Sequence, residues 1–148
     1  ALDSTTHLID PRTGESLAKL PGRFLAPVPD PTGWCLSDNF GSFLWPVRES
    51  GGQLVVGPPR RTPGPPFEQM WVSPDGRTAG VRRPAGGRLY GEVLDLTRPG
   101  WPSARLPMPT NTAVRVIVSP DGRWVVGTGN NQPPRVWAAA TLEAVDAE

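Results

Sequence analysis

The pentapeptide Ser-Pro-Asp-Gly-Arg occurs twice in this chain, at Ser73–Arg77 and Ser119–Arg123, 46 positions apart. Each copy follows an apolar, β-prone run (Met70-Trp71-Val72 and Val116-Ile117-Val118) and precedes small or β-branched residues. A period of about 20–50 residues marks arrays in which each unit buries its face against the next. The pentapeptide itself reads as a tight turn between two strands. Proline sets φ early, glycine tolerates positive φ at the end, and the aspartate accepts hydrogen bonds from its own turn's amides. Asp75, Gly76, Asp121 and Gly122 are therefore expected to be structural turn residues, not a pair of catalytic carboxylates.

The chain has 17 glycines and 20 prolines in 148 residues. Without a collagen period such a fraction can signal disorder. Here six tryptophans and several Val/Leu/Ile runs lie between the Pro/Gly clusters, which favours many short strands joined by turns. The length fits one ordinary domain. Lys19 is the only lysine among 15 basic residues, and the Arg, Pro, Gly and Ala richness fits a GC-rich, bacterial coding sequence. A net charge of +1 provides no global field for nucleic acid or an anionic membrane. Cys35 stands alone, which rules out an intrachain disulfide, and is expected to be a small buried residue. No run approaches 18 apolar residues and no signal-like segment opens the chain, so the expectation is a cytoplasmic protein that neither spans nor binds a membrane.

A strand-by-strand reading gives a repeating four-strand meander. Around the first pentapeptide, strands are expected at Glu68–Val72, Thr78–Arg83, Arg88–Leu96 and Ala104–Pro107. Around the second they fall at Ala113–Val118, Trp124–Thr128, Arg135–Ala138 and near Glu143–Asp146, with a loop at Gly129–Pro134. A degenerate upstream copy has strands at Phe24–Val28, Trp34–Ser37, Ser42–Val47 and Gln53–Gly57, with Pro29–Gly33 as its turn. Its turn glycine Gly33 precedes Gly76 by 43 positions, close to the 46 that separate Gly76 from Gly122. The N-terminus fits half a unit, Thr6–Asp10 and Ser16–Leu20. The resulting division is 1–20 (outer strands only), 21–57, 66–108 and 112–148, one continuous repeat domain.

The run Val118-Ser-Pro-Asp-Gly-Arg-Trp-Val-Val-Gly, followed by Arg135-Val-Trp-Ala-Ala-Ala-Thr-Leu-Glu, resembles a WD40-type β-propeller repeat. Leu94-Asp95 and Ile9-Asp10 occupy that family's Trp-Asp slot. The likeness is strong over residues 66–148 and weaker before. His7 is the only histidine, so the family's Gly-His dipeptide is missing. Lactonase-like and TolB-like propellers share the same turn. The resemblance implies an all-β fold of about three and a half four-stranded antiparallel blades, each covering the next, with tryptophans packed between them. Propellers close with about four to eight blades. The terminal faces would therefore meet further blades, a second copy or a partner protein.

Chemistry-bearing patterns are few. One histidine and one cysteine leave no His-rich metal site, and no glycine pattern opens a helix to cradle phosphate. No cofactor, metal or catalytic residue is expected. The run Gly57–Phe67 reads as a rigid, polyproline-prone connector, although Arg60, Pro63 and Pro66 have the spacing that SH3-type grooves accept. Arg60, Arg61, Arg82 and Arg83 are expected in or beside loops on one rim, where guanidiniums could hold an acidic peptide or phosphate. Trp101, between Gly100 and Pro102, is the aromatic best placed for a ligand. The reading is a non-enzymatic scaffold for protein–protein contact, with no nucleic-acid or membrane partner. The competing class is a propeller domain of an enzyme, as a gate, a substrate guide or a lactonase-like hydrolase.

Overall fold

The structure, a computed structural model, describes residues 4–28, 33–38, 40–108, 115–129 and 132–145. Most of the turn expected at Pro29–Gly33 lies outside the described residues. So do Asn39, Ala113, Val114, Asn130, Asn131 and Asp146.

Every regular element among the described residues is a strand. The strands are β1 Thr5–Ile9, β2 Ser16–Pro21, β3 Arg23–Val28, β4 Gly33–Ser37, β5 Ser42–Ser50, β6 Gln53–Val56, β7 Arg60–Arg61, β8 Gln69–Val72, β9 Thr78–Ala85, β10 Arg88–Asp95, β11 Ser103–Arg105, β12 Arg115–Val118, β13 Trp124–Gly129 and β14 Gln132–Ala138. All pairings are antiparallel between near neighbours in sequence, giving a β1–β2 hairpin and sheets β3–β7, β8–β11 and β12–β14. Gly51-Gly52 and Gly86-Gly87 close two hairpins with φ positive at both central positions, as type I′ turns require.

The sheets stack through their faces. Side chains alternate along a strand, so a sheet with apolar residues on both faces needs a neighbour on each side. The β8–β11 sheet shows this directly. Leu94 packs with Ala79, Val81 and Met70 against Ala26, Val28, Cys35 and Leu44 of the preceding sheet. Its sequence neighbour Val93 joins Val116, Val125 and Trp137 of the following sheet. Each fully buried Val or Leu contributes roughly 1.5–3 kcal/mol of transfer free energy. Gly80 sets the closeness of the second seam: a Cβ there would come within 2.6 Å of Val116 Cγ1. Within the last sheet, a Cβ on Gly127 would come within 2.8 Å of the buried Trp137 ring.

The ends of the stack differ. On β12–β14 the row Ile117–Val126–Val136, in register across the three strands, faces away from the core and is half-buried. At the other end, the β1–β2 hairpin leans on β3. The Gly22 amide donates to Ser4 O at 2.8 Å, and a Cβ on Gly22 would come within 3.0 Å of Ser37 O.

Three local expectations change. Residues 57–67 are not a free connector: Arg60 and Arg61 form β7 against Leu44 and Phe43 of β5. They begin the non-proline run Arg60-Arg61-Thr62, able to donate to a ladder where the flanking prolines cannot. The loop expected at Gly129–Pro134 is mostly strand, because the register shift between Gly127 and Gly129 absorbs Pro133 and Pro134. Among the described residues, the fourth strand of the last sheet is reduced to a single bridge, Trp137 to Ala144.

Candidate functional site

The two pentapeptides form matching turns. The Ser73 amide donates to Thr78 O at 2.8 Å and Gly76 N to Ser73 O at 2.8 Å; in the second copy Ser119 N to Trp124 O and Gly122 N to Ser119 O are both 2.9 Å. Ser73 Oγ donates to Asp75 Oδ1 at 2.5 Å and accepts from Thr78 N at 3.0 Å, while Asp75 Oδ1 also takes Arg77 N at 3.1 Å. Ser119, Asp121, Arg123 and Trp124 repeat this at 2.5, 3.0 and 3.1 Å. The Ser73 hydroxyl, then the Arg77 amide, holds the Asp75 carboxyl below its usual value, and Ser119 and Arg123 do the same for Asp121. Gly76 and Gly122 take φ of 72° and 71°. Both aspartates cap their own turns.

The four arginines expected on one rim are dispersed. Arg82 and Arg83 lie within β9, which runs on to Ala85, and as consecutive strand residues they point to opposite faces. Arg82 pairs with Glu68 at 3.0 Å. Arg83 is buried: its Nε meets Glu92 Oε2 at 2.7 Å, its NH1 donates to Pro65 O, and its guanidinium lies 4.2 Å from the Phe67 ring centre. It pins residues 63–67 to the third sheet. Arg61 donates to Phe40 O at 3.2 Å, and Arg60 is exposed on β7. The SH3-type spacing of Arg60, Pro63 and Pro66 is tied down in the same segment, where Thr62 N and Phe67 N donate to Ser42 O and Ser42 Oγ. Trp101 has φ of 45° and packs, half-buried, against the first core beside the Arg83–Glu92 pair.

Cys35 is fully buried in the first core, and burial pushes its thiol up to about 12. His7 is exposed on β1, remote in sequence from Cys35 and the turn serines. Among the described residues, no three His, Cys, Asp or Glu side chains converge as metal ligands.

A different place emerges as the site. Strands β3, β8 and β12 open their respective sheets; β3 packs beside β8, and β8 beside β12. Between them runs a groove of about 560 Å³, walled by Arg23–Pro27, by Glu68–Val72 and by Arg115. Phe24 and Trp71 are 43% and 47% exposed there, over the apolar Leu25 and Met70. Arg23 donates to Glu68 O at 2.6 Å, which ties the two walls together. Gln69 Oε1 and Arg82 Nε, from residues paired across β8 and β9, are buried without a protein hydrogen-bond partner among the described residues. Among the described residues, the backbone edges of β3 and β8 opposite β4 and β9 carry no paired strand. The sequence reads all six tryptophans as packing between units, with Trp101 the best placed for a ligand instead. That holds for the buried Trp137 but not for Trp71. The legible signal was Trp71's alternation with buried Met70 on an innermost strand.

No protein-family model matches this chain, and no curated protein matches it. Among solved structures it is similar to TolB from Acinetobacter baumannii, with a TM-score of 0.58 and 15% sequence identity, over 95% of this chain and 36% of that one. The chain thus spans about 36% of the length of that structure. With the antiparallel four-stranded sheets, this likeness makes the fold an all-β, β-propeller-type array of blades.

Proposed function

We propose that this chain is a non-catalytic protein–protein interaction module of WD40-like blades, part of a larger protein or assembly, and that it grips an extended segment of a partner in the groove between β3 and β8. The observation that carries this reading is the pairing of two solvent-exposed aromatic rings, Phe24 and Trp71, on neighbouring inner strands. Exposed aromatics set on a rigid scaffold and flanked by arginine have the composition of interface anchors. The two unpaired strand edges beside them offer backbone hydrogen bonds that an extended peptide can complete, with alternate side chains entering the apolar floor. Arg23 and Arg115 favour a segment that carries carboxylates. The half-buried row Ile117–Val126–Val136 supports the second half of the reading, because both apolar faces of the β8–β11 sheet are covered by the sheets beside it.

The test is a selection of displayed random peptides against the purified chain, with Trp71→Ala and Phe24→Ala counter-screened. Selected peptides are expected to be extended and acidic–apolar, and to lose binding to both variants. Peptides that bind the variants unchanged, or a library that yields no binder, would remove the groove as the contact site. Light scattering on the same sample reads the assembly: a monodisperse monomer of about 16 kDa would argue against obligatory association through the open face.

A further inference from the structure

A second cavity of about 560 Å³ lies at the seam between the third and fourth sheets, on the side that carries both Ser-Pro-Asp-Gly-Arg turns. The turns come together there: a Cβ on Gly122 of the second would come within 3.8 Å of Asp75 Oδ2 of the first. Arg77, the last residue of the first turn, lines this cavity, and so does Arg98. Their backbones are neighbours, since Leu96 N donates to Arg77 O at 2.8 Å and Arg98 follows two residues later. Six other arginines have protein partners: Arg82 and Arg83 carboxylates, Arg23 and Arg61 carbonyls, Arg105 and Arg123 aromatic rings. Arg77 and Arg98 have no ion pair, side-chain hydrogen bond or ring contact among the described residues.

The rest of the lining is equally unspent. Thr78 and Ser103 line the cavity, and neither hydroxyl has a hydrogen-bond partner among the described residues. Asp95 gives one oxygen to Thr97, taking its amide at 2.9 Å and its hydroxyl at 2.5 Å, which leaves Oδ2 as an acceptor. That hydroxyl holds the Asp95 carboxyl below its usual range, so the group is ionised at neutral pH. Pro102, Ala104 and Ala139 supply apolar surface for a carbon skeleton. Two guanidiniums and one carboxylate line the cavity, with the Asp75 carboxylate beyond Gly122.

We propose that this seam binds a small hydroxylated phosphate ester of sugar-phosphate size. The phosphate lies between Arg77 and Arg98, and ligand hydroxyls meet Asp95 Oδ2, Thr78 and Ser103. Guanidinium forks match phosphate oxygens bidentately. A bare phosphate would use the arginines alone and waste the acceptors. The volume falls within the roughly 300–1,000 Å³ of small-ligand sites. Because residues of both sheets line the cavity, an occupant also holds the third and fourth sheets together.

The experiment is isothermal titration of the intact chain with glucose 6-phosphate, glucose and inorganic phosphate at fixed ionic strength. The ester is expected to bind more tightly than phosphate, and glucose not at all. Arg77→Gln and Arg98→Gln should each weaken ester binding by roughly tenfold or more, the scale of one charge-assisted contact. Arg12→Gln, in the β1–β2 turn, should change nothing. Ser103→Ala removes only an exposed hydroxyl and provides a reading that does not depend on the arginines; it should weaken the ester and leave phosphate unchanged. Equal affinity for ester and phosphate would overturn the ligand class. Absence of saturable binding, or ester binding indifferent to Arg77→Gln and Arg98→Gln, would overturn the site. Tighter binding of a phosphoserine peptide than of the ester would assign the seam to a protein partner instead and overturn the small-molecule reading.

Discussion

The two copies of Ser-Pro-Asp-Gly-Arg agree in hydrogen-bond lengths to about 0.1 Å, yet they do not share an environment. Ser73 is 1% exposed because the second turn lies over it, with Gly122 beside Asp75 and Ser73. Ser119 is only half-buried, and no third turn covers it among the described residues. The same contrast holds for whole sheets: β8–β11 is covered on both faces, β12–β14 on one. Local geometry belongs to the pentapeptide. Burial belongs to the unit's place in the stack.

The largest effect is expected where the two sheets meet. Gly80→Ala puts a methyl within 2.6 Å of Val116 Cγ1 and 3.1 Å of Val116 O, so the sheets must separate or shift. Overpacking of this kind costs about 1–3 kcal/mol, and the backbone contact favours the upper end. Val126→Leu, which adds a methylene on the uncovered face, should change stability by less than about 0.5 kcal/mol. Urea unfolding midpoints decide it; similar losses would mean that the far face of β12–β14 is as tightly packed as the seam.

Val125 and Val126 sharpen the comparison within a single strand. Val125 is fully buried in the second core, and Val126 sits in the half-buried outer row. Val125→Ala is expected to cost about 2–3 kcal/mol and Val126→Ala about 1 kcal/mol or less. If an added partner or further blades cover the row, the second value should rise towards the first. The pair of variants thus reports the completeness of the assembly as well as its packing.

Much of this division was legible in the chain. The turn chemistry of Ser-Pro-Asp-Gly-Arg and Gly86-Gly87 is local, and so is the alternation Met70-Trp71-Val72; these place most strands within two or three residues. What sequence could not show depends on which distant segments meet. The burial of Arg83 needs Glu92 across the hairpin and Pro65 and Phe67 from a connector, none of which is near it in sequence. Trp71 looked like packing because strand alternation gives a face but not what covers that face. The groove was missed for the same reason: Phe24 and Arg115 reach Trp71 only through the stacking of β3, β8 and β12. Cys35 was easier, since a lone cysteine in an apolar run has few alternatives to burial.

Removing one hydroxyl from each turn is a smaller and cleaner test. Ser73→Ala leaves the Thr78 amide without its acceptor at a buried site, an expected loss of about 1–3 kcal/mol. Ser119→Ala strips the Trp124 amide of its acceptor where water can replace it, for about 0.5–1 kcal/mol. Equal losses in urea unfolding would show that the turns are stabilised by their internal bonds alone and that the covering by the second turn adds nothing.

Acid provides the smallest effect and the one in which the two turns should not differ. Asp75 and Asp121 are solvent-accessible carboxylates with the same donors, so both titrate below the usual 3.8 and for the same cause. A carboxyl lowered in the folded state binds protons less readily than in the unfolded chain. Its contribution is therefore complete above the unfolded value and is lost as pH falls through the folded one. NMR titration of the side-chain carboxyl carbons should find both midpoints depressed together, despite the difference in burial of the serines behind them. Ser73→Ala should raise the Asp75 midpoint towards 3.8 and leave Asp121 unmoved. A coupled shift of Asp121 would mean that the two turns, which touch at Gly122, communicate electrostatically. In that case the separation drawn above between local geometry and stacking would fail at this contact.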